Sequence, residues 1–120
     1  LDYYDHDPRG LDTTKVMAEM EARYTPFAHV DGTFEQAAFG HLVGYSSNYY
    51  TYMWSLVIAK DLFTPFKAAG LMDPKVAARY RHAVLEEGGS KPAAEMVRDF
   101  LGRPFSFDAY QKWLDEGARK

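Results

Sequence analysis

Residues 39–55 read Phe-Gly-His-Leu-Val-Gly-Tyr-Ser-Ser-Asn-Tyr-Tyr-Thr-Tyr-Met-Trp-Ser and open the most apolar stretch of the chain. No formally charged side chain occurs between Glu35 and Lys60. The stretch nevertheless holds many side chains that need hydrogen-bond partners if they are buried: His41, Ser46, Ser47, Asn48 and the tyrosines at positions 45, 49, 50 and 52. A core helix does not normally carry so many polar groups. We therefore predict that this stretch forms the wall of a site.

The same stretch is predicted to begin a long helix at the centre of the fold. Ser46 or Ser47 is a suitable N-cap, and Gly70 is a suitable stop after Ala69. The residues between these limits leave little of the early helix surface polar: Tyr50, Met53, Trp54, Val57, Ile58, Leu62, Phe63 and Phe66. A helix that is apolar on nearly all sides is expected to lie among other helices.

Shorter amphipathic helices are predicted on both sides of this central helix. Thr13 or Thr14 would cap the first, and Asp73, Ser90 and Ser106 would start three more. Their apolar stripes follow helical spacing: Val16, Met17, Met20 and Tyr24; Val76, Ala77, Tyr80, Ala83 and Val84; Ala93, Met96, Val97, Phe100 and Leu101; and Phe107, Tyr110, Trp113 and Leu114. The last of these stripes is expected to face inward.

The remaining segments contain no sustained alternation of apolar and polar residues. Residues 25–33 are predicted to be a loop, in which 27–30 could form a brief strand, and residues 34–42 are either a short helix or irregular. The predicted fold class is therefore all-α, with about five helices packed around the central one. Residues 1–120 would form a single domain or a fragment of one.

Composition and charge argue against several classes of partner. The 120 residues are 47% apolar, which is enough for one modest core. A net charge of −3 with mixed signs offers no basic stripe, so no nucleic-acid partner is expected. The uncharged run 36–59 approaches the length of a membrane span, but Gln36, His41 and Asn48 within it argue against a membrane partner.

The chain contains no cysteine, which excludes disulfides and thiolate metal sites. This suits a reducing compartment, and we predict a cytoplasmic location with the periplasm as the alternative. Residues 1–10 carry three aspartates, lack the pattern of a signal peptide and do not begin with methionine. We expect the chain to be a piece of a longer polypeptide, and such a piece would expose apolar surface and self-associate.

Helix geometry predicts how the tyrosines divide between core and site. At about 3.6 residues per turn, Tyr49 and Tyr52 share one face, whereas Tyr50 points roughly 100° away into the core. Tyr45 lies on the preceding loop and can lean over the first face. A phenol keeps its proton near pH 7, so converging phenols can donate hydrogen bonds to a developing negative oxygen. The pattern therefore predicts an oxyanion-binding face.

Gly44 would let the loop return His41 to the same face, where its ring could bind a carbonyl or carboxylate. The alternative to a functional role is that these tyrosines, the histidine and the glycine are purely structural. Tyrosines at helical spacing usually pack with the hydroxyl reaching water or a backbone carbonyl, a histidine near a loop is often structural, and a glycine can be required by backbone angles alone. No metal site is predicted, because the four histidines are scattered and no His-Glu-x-x-His spacing occurs.

A longer motif resembles a known family. Phe39-Gly-His-Leu-Val-Gly-Tyr-x-x-x-Tyr-Tyr-x-Tyr-Met-Trp-Ser55, followed by Ala59-x-Asp-x-Phe63, is similar to the C-terminal catalytic segment of the thimet oligopeptidase family of zinc metallopeptidases. That family includes oligopeptidase A, peptidyl-dipeptidases and mitochondrial intermediate peptidase. The stretches 85–90, 100–104 and 108–114 resemble the end of the same family, so the similarity covers nearly the whole chain.

The resemblance implies hydrolysis of short peptides by a zinc-bound water. It implies that Tyr52 and Tyr45 stabilise the tetrahedral oxyanion or hold the scissile peptide, that His41 and Tyr49 contact the substrate backbone, and that the loop with Gly44 is a mobile flap. The family's zinc motif is absent here and would lie upstream, so zinc belongs to the parent enzyme and this piece alone is expected to be inactive. The segment from His41 to Tyr45 is also shorter than the double-glycine version of some relatives.

Two hypotheses remain at this point. The first is that the chain is the C-terminal part of a zinc oligopeptidase, with short peptides and the upstream part of the polypeptide as its partners. The second is a helical module that binds a peptide or a protein without chemistry.

Overall fold

The computed structural model describes residues 3–5 and 7–117, and every regular element within these ranges is helical. The helices are α1 (Thr13–Tyr24), α2 (Glu35–Ala38), α3 (His41–Gly44), α4 (Thr51–Leu62), α5 (Thr64–Ala69), α6 (Pro74–Tyr80), α7 (Ala93–Leu101) and α8 (Asp108–Gly117). A 3₁₀ turn spans Ser46–Asn48 and a π-helical turn spans Arg81–Leu85. The all-α prediction is confirmed, and in the described ranges the alternative strand at 27–30 does not form. None of the described helices has the length and hydropathy needed to cross a membrane.

The chain divides into two compact units, Leu1–Thr51 and Tyr52–Lys120. In the first unit, α1 is capped by Asp12, one residue before the predicted Thr13 or Thr14. The Asp12 carboxylate accepts hydrogen bonds from the backbone N–H groups of Thr14 and Lys15 at 3.1 and 3.0 Å. Two of the N–H groups left free at the start of this helix are thereby satisfied.

The long helix predicted from Ser46 or Ser47 to Ala69 is not continuous. Ser46 has a φ of 52° in the left-handed region. An N-cap residue normally has an extended backbone, so Ser46 does not cap the helix, and α4 begins only at Thr51. The prediction of one long helix beginning at these serines was wrong on this point.

A second interruption, at Phe63, separates α4 from α5. Pro65 has no N–H group and cannot donate to the Asp61 carbonyl as a helical residue would. The Thr64 hydroxyl donates to that carbonyl instead, at 2.8 Å. The proline was a visible signal in the sequence for this interruption.

The second unit is built around four buried apolar side chains: Val57, Val76, Val97 and Phe100. Phe100 packs between Phe66 and Tyr80, whose ring centroids lie 6.0 and 5.2 Å away. Edge-on and tilted arrangements of this kind are those that aromatic rings prefer. The helical stripes predicted for α6 and α7 therefore supply the core of this unit.

Several predicted helix boundaries in the second unit are confirmed. The Asp73 carboxylate accepts the N–H groups of Lys75 and Val76, both at 2.9 Å, and Pro74 occupies the first position of α6. Gly102 ends α7 with a φ of 73°, a left-handed conformation that glycine adopts at little cost.

Other predictions for this unit were wrong. Ser90 does not cap α7, because its hydroxyl bonds the Glu87 carboxylate and the helix starts at Ala93. Ser106 precedes α8 by two residues and donates from its hydroxyl to Asp108 at 3.1 Å. The stripe of α8 does not face fully inward, since three of its members remain exposed: Phe107, Trp113 and Leu114.

Large apolar side chains are exposed in both units, among them Phe27, Val43 and Met72. Exposed apolar surface on this scale is the feature expected of a segment that packs against further protein. Self-association of the chain remains a prediction.

One buried carboxylate connects α4 with the segment between α7 and α8 in the second unit. Asp61 of α4 is 1% exposed and accepts hydrogen bonds from both terminal nitrogens of Arg103, at 2.7 and 2.6 Å. The backbone N–H of Ser106 donates to the same carboxylate at 2.8 Å. The hydrogen bonds from Arg103 lower the pKa of Asp61 below its ordinary value of 3.8, against the effect of burial, which raises it. This pair joins the end of α4 to the segment between α7 and α8.

We expect the second unit to lose stability in acid through this group. Because the pKa of Asp61 is lower in the folded state, its contribution is present above about pH 3.9 and is lost as the pH falls through the folded value. The free energy of unfolding, measured by urea titration between pH 5 and pH 2, should fall less steeply in Asp61→Asn than in the parent chain. Asp115→Asn, on the exposed side of α8, is the matched control and should retain the parent's slope. Equal slopes for all three proteins would contradict the assignment.

Candidate functional site

Four aromatic rings of the first unit form one cluster around His41. The ring centroid of His41 lies 5.2 Å from Phe39, 5.6 Å from Tyr45 and 5.0 Å from Tyr49. Phe39 and Tyr49 also meet edge to face, at 4.7 Å with an interplanar angle of 83°. We call these four residues the His41 cluster. The structure thus brings together three of the five residues predicted for the site.

The backbone around α3 explains why these rings meet. Tyr45 follows His41 by four residues, and its backbone N–H donates to the His41 carbonyl at 2.8 Å, so the two side chains share one side of a helical turn. Ser46 then adopts its left-handed conformation and begins the 3₁₀ turn, which ends at Asn48 directly before Tyr49. A strained non-glycine residue beside a cluster of this kind is often a feature of a functional site.

The phenol rings of the cluster are partly open to solvent. Tyr45 is 48% exposed and Tyr49 is 45% exposed, whereas His41 and Phe39 are half-buried. Neither ring is buried in a core, and a hydroxyl that reaches water is a feature that the structural reading shares. A half-exposed phenol beside an imidazole can donate a hydrogen bond to a ligand that approaches from solution.

Tyr52 belongs to the second unit, where it lies in the first turn of α4 and is 49% exposed. The prediction that Tyr49 and Tyr52 share a helix face was built on a helix starting near Ser47, and α4 starts after Tyr49. Tyr50 was predicted to point into the core and is instead 63% exposed. The prediction is therefore wrong for Tyr50 and for a helix that includes Tyr49, whereas the exposure of Tyr49 and Tyr52 agrees with it.

Gly44 is the last residue of α3, and its backbone does not require glycine. Its φ is not positive, and a Cβ added there would meet no atom within 4 Å. The structural reading of Gly44 thus loses its support from backbone angles and from packing. Space beside Gly44 is compatible with close approach of a ligand backbone.

The described residues do not provide a zinc site. Across residues 3–5 and 7–117, no three His, Cys, Asp or Glu side chains are grouped so that they could hold a metal ion. The His41 cluster offers one imidazole and two phenols, and this set is suited to hydrogen bonding rather than to zinc, which takes three or four N, S or O ligands.

Sequence reasoning missed two residues of this region. Phe39 belongs to the family motif, and its ring contacts those of both His41 and Tyr49. Glu35 is the last charged residue before the uncharged run, and it lines a depression together with His41 and Tyr45. The position of Glu35, one helical turn before Phe39, is the sequence feature that could have identified it.

Comparison with known proteins agrees with the sequence motif. A family model described as peptidase family M3 matches residues 2–116. A thimet-like oligopeptidase of Dictyostelium discoideum is 40% identical over 84 residues, which cover 69% of this chain and 12% of that protein. Mitochondrial intermediate peptidases of Schizophyllum commune and Mus musculus are 32% and 31% identical, over 87% and 90% of this chain.

The chain spans only 12 to 15% of the length of these relatives. The match nevertheless runs along almost all of its residues and includes the His41 cluster and Tyr52. The resemblance seen in the motif is thereby confirmed, and this chain belongs to peptidase family M3, the family of the thimet oligopeptidases.

Proposed function

We propose that this chain is the C-terminal part of the catalytic domain of a zinc-dependent oligopeptidase that hydrolyses short peptides. Membership of peptidase family M3 supports the reaction class. The observation that carries the proposal is the His41 cluster, in which the centroids of two half-exposed phenol rings, Tyr45 and Tyr49, lie 5.6 and 5.0 Å from that of the imidazole. A binding module without chemistry would suit the same cluster, but it would not account for the family.

The proposed roles follow from the chemistry of each group. When a peptide carbonyl is attacked, negative charge develops on its oxygen, and neutral hydrogen-bond donors placed there stabilise the transition state. Tyr52 and Tyr45 are proposed to donate to that oxygen, because a phenol with a pKa near 10 remains protonated at neutral pH. His41 and Tyr49 are proposed to bind the substrate backbone, and Gly44 to allow its close approach.

Zinc in this proposal is held by residues upstream in the parent polypeptide, because the described residues of this chain do not form a site for it. The partners are therefore short peptides and the rest of the same polypeptide. The piece alone is expected to be inactive. The absence of cysteine is the support for a cytoplasmic location.

Replacing His41 by alanine in the full-length protein is expected to raise KM for a quenched fluorescent peptide about three- to tenfold, with kcat within twofold of the parent. Loss of one hydrogen bond that is equally strong in the ground state and the transition state has this effect, and it is worth roughly 0.5–1.5 kcal/mol. His82→Ala is the matched control, because His82 is exposed and pairs with Glu86 at 2.5 Å. An unchanged KM would remove His41 from substrate binding, and absence of any peptide cleavage by the parent protein would remove the proposed function.

A further inference from the structure

A depression of about 460 Å³ lies beside the His41 cluster, in the first unit. Its lining includes Glu35 and Ala38 of α2 together with Phe39, His41 and Tyr45 of the cluster. Among the side chains that line it, Glu35 is the single one with a formal charge. Toward the C-terminus no other charged side chain follows Glu35 before Lys60, whereas Asp31 lies four residues before it.

Glu35, like Asp31 four residues before it, has no side-chain partner in the described part of the chain. No residue in the described part of the chain forms an ion pair or a side-chain hydrogen bond with Glu35, although its side chain is exposed. In the same unit Oε2 of Glu21 lies 2.6 Å from Nδ1 of His29, and Oε1 of Glu19 lies 3.9 Å from Nζ of Lys15. The carboxylate of Glu35 is therefore available to a cation from outside.

The aromatic and apolar side chains that line the depression also favour binding of a cation. Aromatic faces such as those of Phe39 and Tyr45 attract cations, and apolar side chains suit the methylene stem of a lysine or an arginine. A carboxylate close to low-dielectric surface also interacts more strongly with an opposite charge than it would in open water. The depression thus combines a negative group with aromatic walls beside the residues that are proposed to hold the substrate backbone.

We propose that Glu35 is a specificity-determining residue that selects peptides with a positively charged group next to the segment held by the His41 cluster. This rests on the proposed function. The cation is either a lysine or arginine side chain or the terminal amine of the peptide, and both present the same ammonium-type or guanidinium charge to the carboxylate. Glu35 takes no part in the chemical step.

The test compares kcat/KM of the full-length protein for matched peptides. One set carries arginine or its uncharged analogue citrulline at each position in turn, and a second set carries a free or an acetylated amino terminus. The charged member of at least one pair should be cleaved about fivefold faster, which is the upper range for a solvent-accessible ion pair. The preference should shrink in 0.5 M salt, because ions screen such pairs.

Glu35→Gln should abolish that preference while leaving cleavage of the uncharged peptides within twofold, and Glu35→Lys should reverse it toward acidic peptides. Glu19→Gln on α1 is the control and should behave as the parent. A preference that survives Glu35→Gln, or no preference in the parent, overturns this inference and leaves the proposed function intact. Failure to cleave any peptide overturns both. The arginine and citrulline peptides test for a charged side chain, and the free and acetylated peptides test for the terminal amine, so the two sets show which of them Glu35 selects.

Discussion

Replacing Tyr52 by phenylalanine in the full-length protein is expected to lower kcat about 100-fold and to leave the zinc content unchanged. Removing one donor from an oxyanion site typically costs roughly 3–4 kcal/mol of transition-state stabilisation, whereas a role in substrate binding alone would raise KM instead. The loss should appear equally in kcat and in kcat/KM. Steady-state kinetics on a fluorogenic peptide and metal analysis of the purified variant provide the measurement.

The structure makes this substitution informative. Tyr52 is 49% exposed in the first turn of α4, and the change removes only its hydroxyl and keeps the ring. Tyr50→Phe is the matched control two residues earlier, at a side chain that is 63% exposed and has no proposed role. Unchanged kcat in Tyr52→Phe would remove Tyr52 from the mechanism. An equal loss in Tyr50→Phe would point to a general disturbance of the segment.

The helices that could be predicted from sequence are those whose boundaries depend on local chemistry. Asp73 followed by Pro74 starts α6, and Gly102 ends α7, because caps and left-handed glycines act within one turn of the chain. The break before α5 was predictable in the same way from Pro65 and was overlooked. Ser46 was not predictable, since a left-handed serine is uncommon and no local pattern specifies it.

In the candidate site too, the contacts set by local spacing could be predicted and the others could not. His41 begins α3 and Tyr45 follows its last residue, so the two are four residues apart and their contact follows from helical spacing. The contact of Tyr49 with Phe39 depends on the turn that Ser46 begins, which helical spacing does not predict. Helix geometry and the family resemblance both selected Tyr49, but the geometric argument used a helix that does not extend back to this residue.

The link between Asp61 and Arg103 lies beyond such reasoning, because 42 residues separate the two and each looks like ordinary surface charge in the sequence. Only the folded chain shows that the carboxylate is 1% exposed while the arginine side chain is 46% exposed. This asymmetry makes the two partners unequal, since an arginine left without its partner can turn to water and a buried carboxylate cannot.

Arg103→Met is therefore expected to destabilise the second unit by about 3–5 kcal/mol, the usual cost of leaving a buried charge without its partner. Asp61→Asn should cost less, about 1–2 kcal/mol, because Arg103 can then be hydrated and the amide oxygen still accepts from Ser106. Urea unfolding of the 120-residue chain, followed by tryptophan fluorescence, measures both values. Trp54 and Trp113 lie in this unit, so the signal reports on it directly.

Arg98→Met on the exposed side of α7 is the matched control and should change the free energy of unfolding by less than about 0.5 kcal/mol. The double variant Asp61→Leu with Arg103→Met separates loss of attraction from burial of a lone charge. It should regain most of the stability lost in Arg103→Met, because no charge then remains in the buried position. A double variant as unstable as Arg103→Met would contradict the assignment of the cost to the unpaired buried charge.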